Sequence, residues 1–91
     1  MRGVPTSSEL CIQLPADVAL HARPAGLFVR LAMGFQCAIK ITCGDREADA
    51  KSLLAVLGLG ADGGSTVRVR ADGADAETAV RALENCLRTI R

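Results

Sequence analysis

Aromatic side chains are nearly missing from this chain: two Phe, no Trp and no Tyr among 91 residues. Proteins that grip nucleic acid rely on stacking aromatics along a basic groove. The second ingredient is missing too, since 11 Lys and Arg against 10 Asp and Glu give a formal charge of +1 with both signs mixed. No nucleic-acid partner is expected. No apolar run approaches the roughly 20 residues a membrane-spanning helix requires. The start of the chain, Met1-Arg2-Gly3-Val4-Pro5-Thr6-Ser7-Ser8, lacks the apolar segment of a secretory signal. These absences point to a cytoplasmic protein without membrane insertion. Histidine occurs once, and the four cysteines (Cys11, Cys37, Cys43, Cys86) contain no C-x-x-C pair. That spacing argues against a metal centre. Cys37 and Cys43 fall in phase with Ile39 and Ile41, and Cys86 lies beside Leu87, as buried free thiols in a reducing compartment would. Cys11, out of phase with Ile12 and Leu14, is expected to be exposed and the readiest to oxidise. There is no nucleotide loop and no paired carboxylate motif. No cofactor is expected, and the domain should not turn over substrate unaided.

What is present is a dense aliphatic pattern, 49% hydrophobic overall, sufficient for one small core. Residues 1–8 read as a flexible leader and 9–91 as the folded domain. Leu10 to Leu14 reads as the first strand, with Ile12 and Leu14 inward, and the loop 15–20 follows it. A helix is predicted from Ala22 to Met33, its buried side marked by Leu27, Phe28, Leu31 and Phe35, ending at Gly34. Cys37 to Cys43 alternates as a half-buried strand, Gly44-Asp45 turns the chain, and Arg46 to Ala50 is its antiparallel partner. Ser52 caps a short helix, Leu53 to Leu57, whose Leu54 and Leu57 are expected inside and whose Leu53 and Val56 outside. Gly63-Gly64 leads into a strand from Thr66 to Ala71. Asp75 is expected to cap a last helix with the stripe Ala79, Val80, Leu83, Leu87, Ile90. The fold class is therefore α/β (α+β): an open-faced two-layer sandwich in the order βαββαβα, with a four-stranded antiparallel sheet covered on one face by three helices.

The residues Leu20-His21-Ala22-Arg23-Pro24-Ala25-Gly26 place that single histidine at the mouth of the first helix. A helix start gathers unpaired N–H groups and a partial positive charge, which favours anions and disfavours an imidazolium. Neutral imidazole is the nucleophilic form and keeps a ring nitrogen able to attack phosphorus. Arg23 can offer a fork of donors to phosphate oxygens. Pro24 suits a first turn that has no use for its missing N–H. A bland alternative exists, a small α/β domain whose helix-tip His and Arg merely hold an anion.

His21, Arg23, Pro24 and Ala25, followed by Leu27, Phe28, Val29 and Leu31, resemble the active-site signature of the HPr family, the histidine-containing phosphocarriers of the phosphoenolpyruvate-dependent sugar phosphotransferase system. A second stretch, Ala50-Lys51-Ser52-Leu53-Leu54-Ala55-Val56-Leu57-Gly58-Leu59-Gly60-Ala61, resembles that family's regulatory-serine helix at the matching separation. The resemblance runs from about residue 9 to the C-terminus and implies the same sandwich fold, as an HPr-like phosphocarrier domain. It implies that His21 accepts phosphate on Nδ1 from phosphorylated enzyme I and passes it to an enzyme IIA. Arg23 would be the electrostatic partner, with Pro24 and the Ala22 amide as frame. Ser52 would be the target of HPr kinase/phosphorylase. Gly26, Arg30, Lys51, Leu53 and Val56 would form the docking patch of a monomer. A regulatory relative would instead serve a nitrogen-type phosphotransferase branch, or act as a serine-phosphorylated transcriptional co-effector. One departure stands out: Val18-Ala19 replace the small polar residue and Gly that usually precede this motif, so a different approach path to His21 is expected.

Overall fold

The computed structural model describes residues 7–90. Seven elements follow one another: β1 (Ser7–Gln13), α1 (Ala22–Met33), β2 (Ala38–Cys43), β3 (Arg46–Asp49), α2 (Leu53–Leu57), β4 (Thr66–Asp72) and α3 (Ala76–Thr89). The strands form one sheet in the order β1-β4-β2-β3, every neighbour antiparallel. This is the expected βαββαβα open-faced sandwich. β4 carries the plainest alternation, with Val67, Val69 and Ala71 buried and Thr66, Arg68, Arg70 and Asp72 exposed. Helix α3 lies across β1 and β4, α1 packs beside α3, and α2 sits between α1 and β3. No helix among the described residues is long and apolar enough to cross a membrane.

The core joins Ile12, Leu14, Leu20, Ile39, Ile41, Val67 and Val69 of the sheet side to Phe28, Val56, Val80, Leu83 and Leu87 of the helices. Its contents are wholly non-polar; among the described residues no polar or charged side chain is buried. All five members of the expected α3 stripe are buried, with Ala76 added to them.

Several local expectations need correction. β1 starts at Ser7, earlier than Leu10, because Ser7 and Ser8 pair with Asp72 and Ala71. A sheet ladder is made of main-chain bonds, so polar side chains on an edge strand do not stop it. Residues 1–6 of the expected leader lie outside the described residues. In α1 the buried face is Ala25, Phe28, Val29 and Ala32, while Leu27 and Leu31 are exposed. The small alanines let the helix approach its neighbours closely, and the larger leucines are left outside. Phe35 is half-buried against the core rather than within it. In α2 the assignment reverses: Val56 is fully buried, Leu57 is half-buried against the core, and Leu54 is 83% exposed. Leu53 is exposed as expected. Of the four thiols only Cys37 is buried, Cys11 is exposed, and Cys43 and Cys86 are half-buried. Burial raises the pKa of both Cys37 and Cys86, with the Asp75 carboxylate adding to the rise at Cys37.

Asp75 occupies the N-cap position of α3, but its side chain makes no cap bond there. Its carboxylate instead accepts the main-chain N–H groups of Gln36 and Cys37, each at 3.0 Å. The link ties the start of α3 to the segment entering β2. First the Gln36 amide and then the Cys37 thiol hold this carboxyl below its ordinary pKa.

Candidate functional site

The approach to His21 is built without glycine. Leu14 and Leu20 are buried at its two ends and Val18 is buried between them, so three apolar anchors draw the loop onto the core. The segment 61–65 lies beneath as a floor. Leu14 donates its N–H to Ser65 O at 2.8 Å, Leu20 to Ala61 O at 2.9 Å, and Gly64 to Pro15 O at 3.1 Å. Gly63 passes so close under the loop that a Cβ there would collide with the Ala16 carbonyl. The Val18-Ala19 pair thus keeps negative φ, and the strain appears further on. Ala22, at φ +27°, is the only non-glycine residue with positive φ among the described residues. Such conformers cost on the order of 1–3 kcal/mol and persist only where their surroundings impose them.

His21 is the N-cap of α1, extended at φ −117° and ψ 174°. Its main chain is committed at both ends, the N–H to Ala19 O and the carbonyl to Ala25 N, each at 2.9 Å. Its side chain is not: the ring is exposed and makes no cap bond. The amides of Ala22 and Arg23 have no hydrogen-bond partner among the described residues, and Pro24 has no N–H to offer. Arg23 is exposed and forms no ion pair among the described residues. The tip of α1 therefore brings together one free imidazole, two free main-chain donors and one free guanidinium. Chemically, that set can take an anion and bond to it covalently through a ring nitrogen.

Further along α1, about 12 Å from Ala22 at 1.5 Å per residue, Arg30 reaches a shallow cleft between α1 and α2. Gly26, Arg30, Lys51 and Leu53 line it together with Val29 and Met33. Val56 does not take part, being fully buried. Met33 and Leu53 make the rim of the cleft apolar, and Leu27, Leu31 and Leu54 are further exposed large side chains of the same two helices. Met33 and Leu54 escaped sequence reasoning, although nearly unbroken apolarity in both helices signals that some large residues must lie outside. Ser52 caps α2 as predicted, its Oγ accepting the Ala55 N–H at 3.3 Å.

Fold and site together define a small open-faced α/β domain with an exposed histidine at an anion-favouring helix start. Comparison with known proteins gives the particular family. The family model described as "PTS HPr component phosphorylation site" matches residues 8–89. A phosphocarrier protein HPr of Haloferax volcanii is 44% identical over 83 residues, covering 89% of this chain and 93% of that one. A multiphosphoryl transfer protein of Xanthomonas campestris is 42% identical over 64 residues, covering 70% of this chain and only 8% of that much longer protein. Among solved structures, a phosphocarrier protein HPr from Bacillus anthracis superposes with a TM-score of 0.86 at 32% identity, over 90% of this chain and 98% of that one. The chain belongs to the HPr family of phosphocarriers.

Proposed function

We propose that His21 is the phosphoryl acceptor, receiving the group from phosphorylated enzyme I and delivering it to an enzyme IIA. The reading rests on one observation above all: the only imidazole in the chain stands exposed and uncommitted at a helix start whose first two amides are free. The lone pair of Nδ1 attacks phosphorus, a P–N bond forms, and the bond from phosphorus to the donor breaks with its electron pair leaving on the donor. In the second transfer a lone pair of an enzyme IIA nucleophile forms a new bond to phosphorus, and the P–N bond breaks with its pair returning to His21. The amides of Ala22 and Arg23 and the Arg23 guanidinium offset charge on the phosphoryl oxygens. Exposure of His21 lets one tip serve donor and acceptor in turn, each partner's surface excluding water while it is docked. Docking falls on the apolar rim of the α1–α2 cleft, with Arg23 and Arg30 attracting acidic partners.

Ser52 is the proposed second modification point. Its Oγ sits at the start of α2, where added negative charge is tolerated by the helix, and it lies beside the docking rim, where that charge would repel an acidic partner. We take the protein to act as a cytoplasmic monomer. The decisive experiment incubates the protein with enzyme I and labelled phosphoenolpyruvate. Acid-labile, base-stable label is expected on the wild type and none on His21→Ala. Label that survives His21→Ala would refute the assignment.

A further inference from the structure

Lys51 is engaged differently from the other cations around the cleft. Arg23 and Arg30 point their charges into solvent with no ion pair among the described residues. The Lys51 ammonium instead donates to the Phe35 carbonyl at 2.7 Å, in a half-buried setting. Phe35 lies one residue beyond the Gly34 C-cap of α1, where the negative end of the helix dipole favours a cation. The Lys51 main chain is fixed as well, its N–H donating to Asp49 Oδ1 at 2.9 Å.

We propose that Lys51 is a positioning residue for transfer, a latch that holds the start of α2 against the end of α1 and so sets where Leu53 and Leu54 stand. The need follows from the length of α2. Five residues are far too few for a helix to persist on its own propensity. Both of its ends are accordingly pinned from outside. Ser52 caps the first turn, Lys51 ties that turn to α1, and Arg46 donates Nη1 to the carbonyl of the C-cap Gly58 at 3.1 Å. Only one large side chain of α2, Val56, is fully buried, while Leu53 is 44% and Leu54 83% exposed. Polar anchors at the ends therefore carry a job that packing does too weakly.

This inference rests on the α1–α2 rim being the docking surface, and it divides labour there. The free guanidinium groups supply attraction; the engaged ammonium supplies geometry. The two roles respond differently to salt. Attraction by an exposed charge fades once the screening length falls below about 5 Å, near 0.5 M ionic strength, whereas an internal half-buried bond is screened far less.

The test uses Lys51→Met, which keeps the apolar stem and removes the donor, and Lys51→Arg, which restores one. Labelling of His21 by phosphorylated enzyme I is followed at low ionic strength and at about 0.5 M. Lys51→Met is expected to raise KM for the donor about tenfold at both, with kcat unchanged, the factor expected from loss of one charged hydrogen bond. Lys51→Arg should recover most of it. In parallel, NMR of the free protein should show the Phe35 carbonyl resonance and the Leu53 and Leu54 amides moving in Lys51→Met and returning in Lys51→Arg. A KM penalty that disappears at high salt would make Lys51 an ordinary docking charge and overturn the proposal. So would an unmoved Phe35 carbonyl. If wild-type His21 takes no label, the carrier reading fails by itself, and the NMR comparison still decides whether the latch exists.

Discussion

Val56 and Leu54 sit two residues apart in α2 yet face opposite fates, so a pair of alanine substitutions separates stability from docking. Val56 is fully buried and Leu54 is 83% exposed. Val56→Ala removes two methyl groups from a closed site. At about 0.8 kcal/mol each, with a cavity term added, the loss comes to roughly 2–3 kcal/mol. For a domain of this size each kcal/mol moves Tm by about 4–8 °C, so a fall on the order of 10–20 °C is expected. Leu54→Ala gives up little buried surface and should stay within about 0.5 kcal/mol of wild type. Function should reverse the order. Leu54→Ala is expected to slow labelling of His21 several-fold through KM, while Val56→Ala, assayed well below its own Tm, labels near the wild-type rate. Thermal unfolding and initial-rate labelling on the same preparations measure both. A Leu54→Ala protein less stable than Val56→Ala would refute the orientation assigned to α2.

Four further outcomes are expected. Asp75→Asn should lose stability at neutral pH, because the two main-chain N–H groups bond to different carboxylate oxygens and the Nδ2 that replaces one of them is a donor. Since the folded-state pKa of Asp75 is lowered, its contribution is present above the ordinary carboxylate value and fades as pH falls through the lowered one; urea unfolding should show wild type and Asp75→Asn converging in acid. Gly63→Ala should displace the Ala16–Val18 backbone, visible as shifted amide resonances there and at His21, and slow labelling more than it unfolds the domain. Ser52→Ala should cost about 1 kcal/mol by denaturant unfolding, through loss of the α2 cap. A thiol reagent should modify Cys11 well before Cys37, whose buried sulfur is held protonated, as mass spectrometry of a time course would reveal.

The strand alternation and the α3 stripe were legible because each is long and has a polar face opposite an apolar one. The placement of the candidate residues at a helix start was legible for a similar reason: His21, Ala22 and Arg23 are contiguous, and the start of α1 falls on them. α2 was not. In Leu53-Leu54-Ala55-Val56-Leu57 nearly every phase is apolar, and only the neighbours on which the helix rests choose Val56 for the inside. α1 misled through size, since Ala25 and Ala32 turn out to be the contact residues while Leu27 and Leu31 stay outside. Asp75 has the composition of a cap, but its partners lie 39 and 38 residues away in the chain, beyond the reach of local pattern. The floor under the approach loop is hidden likewise, because Gly63 reads as a turn residue until the Ala16 carbonyl is seen above it.

An interior with no buried polar side chain among the described residues offers no buried charge or hydrogen-bonding side chain to answer a change of charge at the rim. A phosphoryl group on His21 would add close to two negative charges and leave the hydrocarbon centre indifferent. Empty and laden molecules would then share one shape, and a visitor could tell them apart only by meeting the cargo itself. Supplier and recipient would have to read the same few square nanometres, so the two could never be aboard together, and traffic would be ordered by exclusion alone.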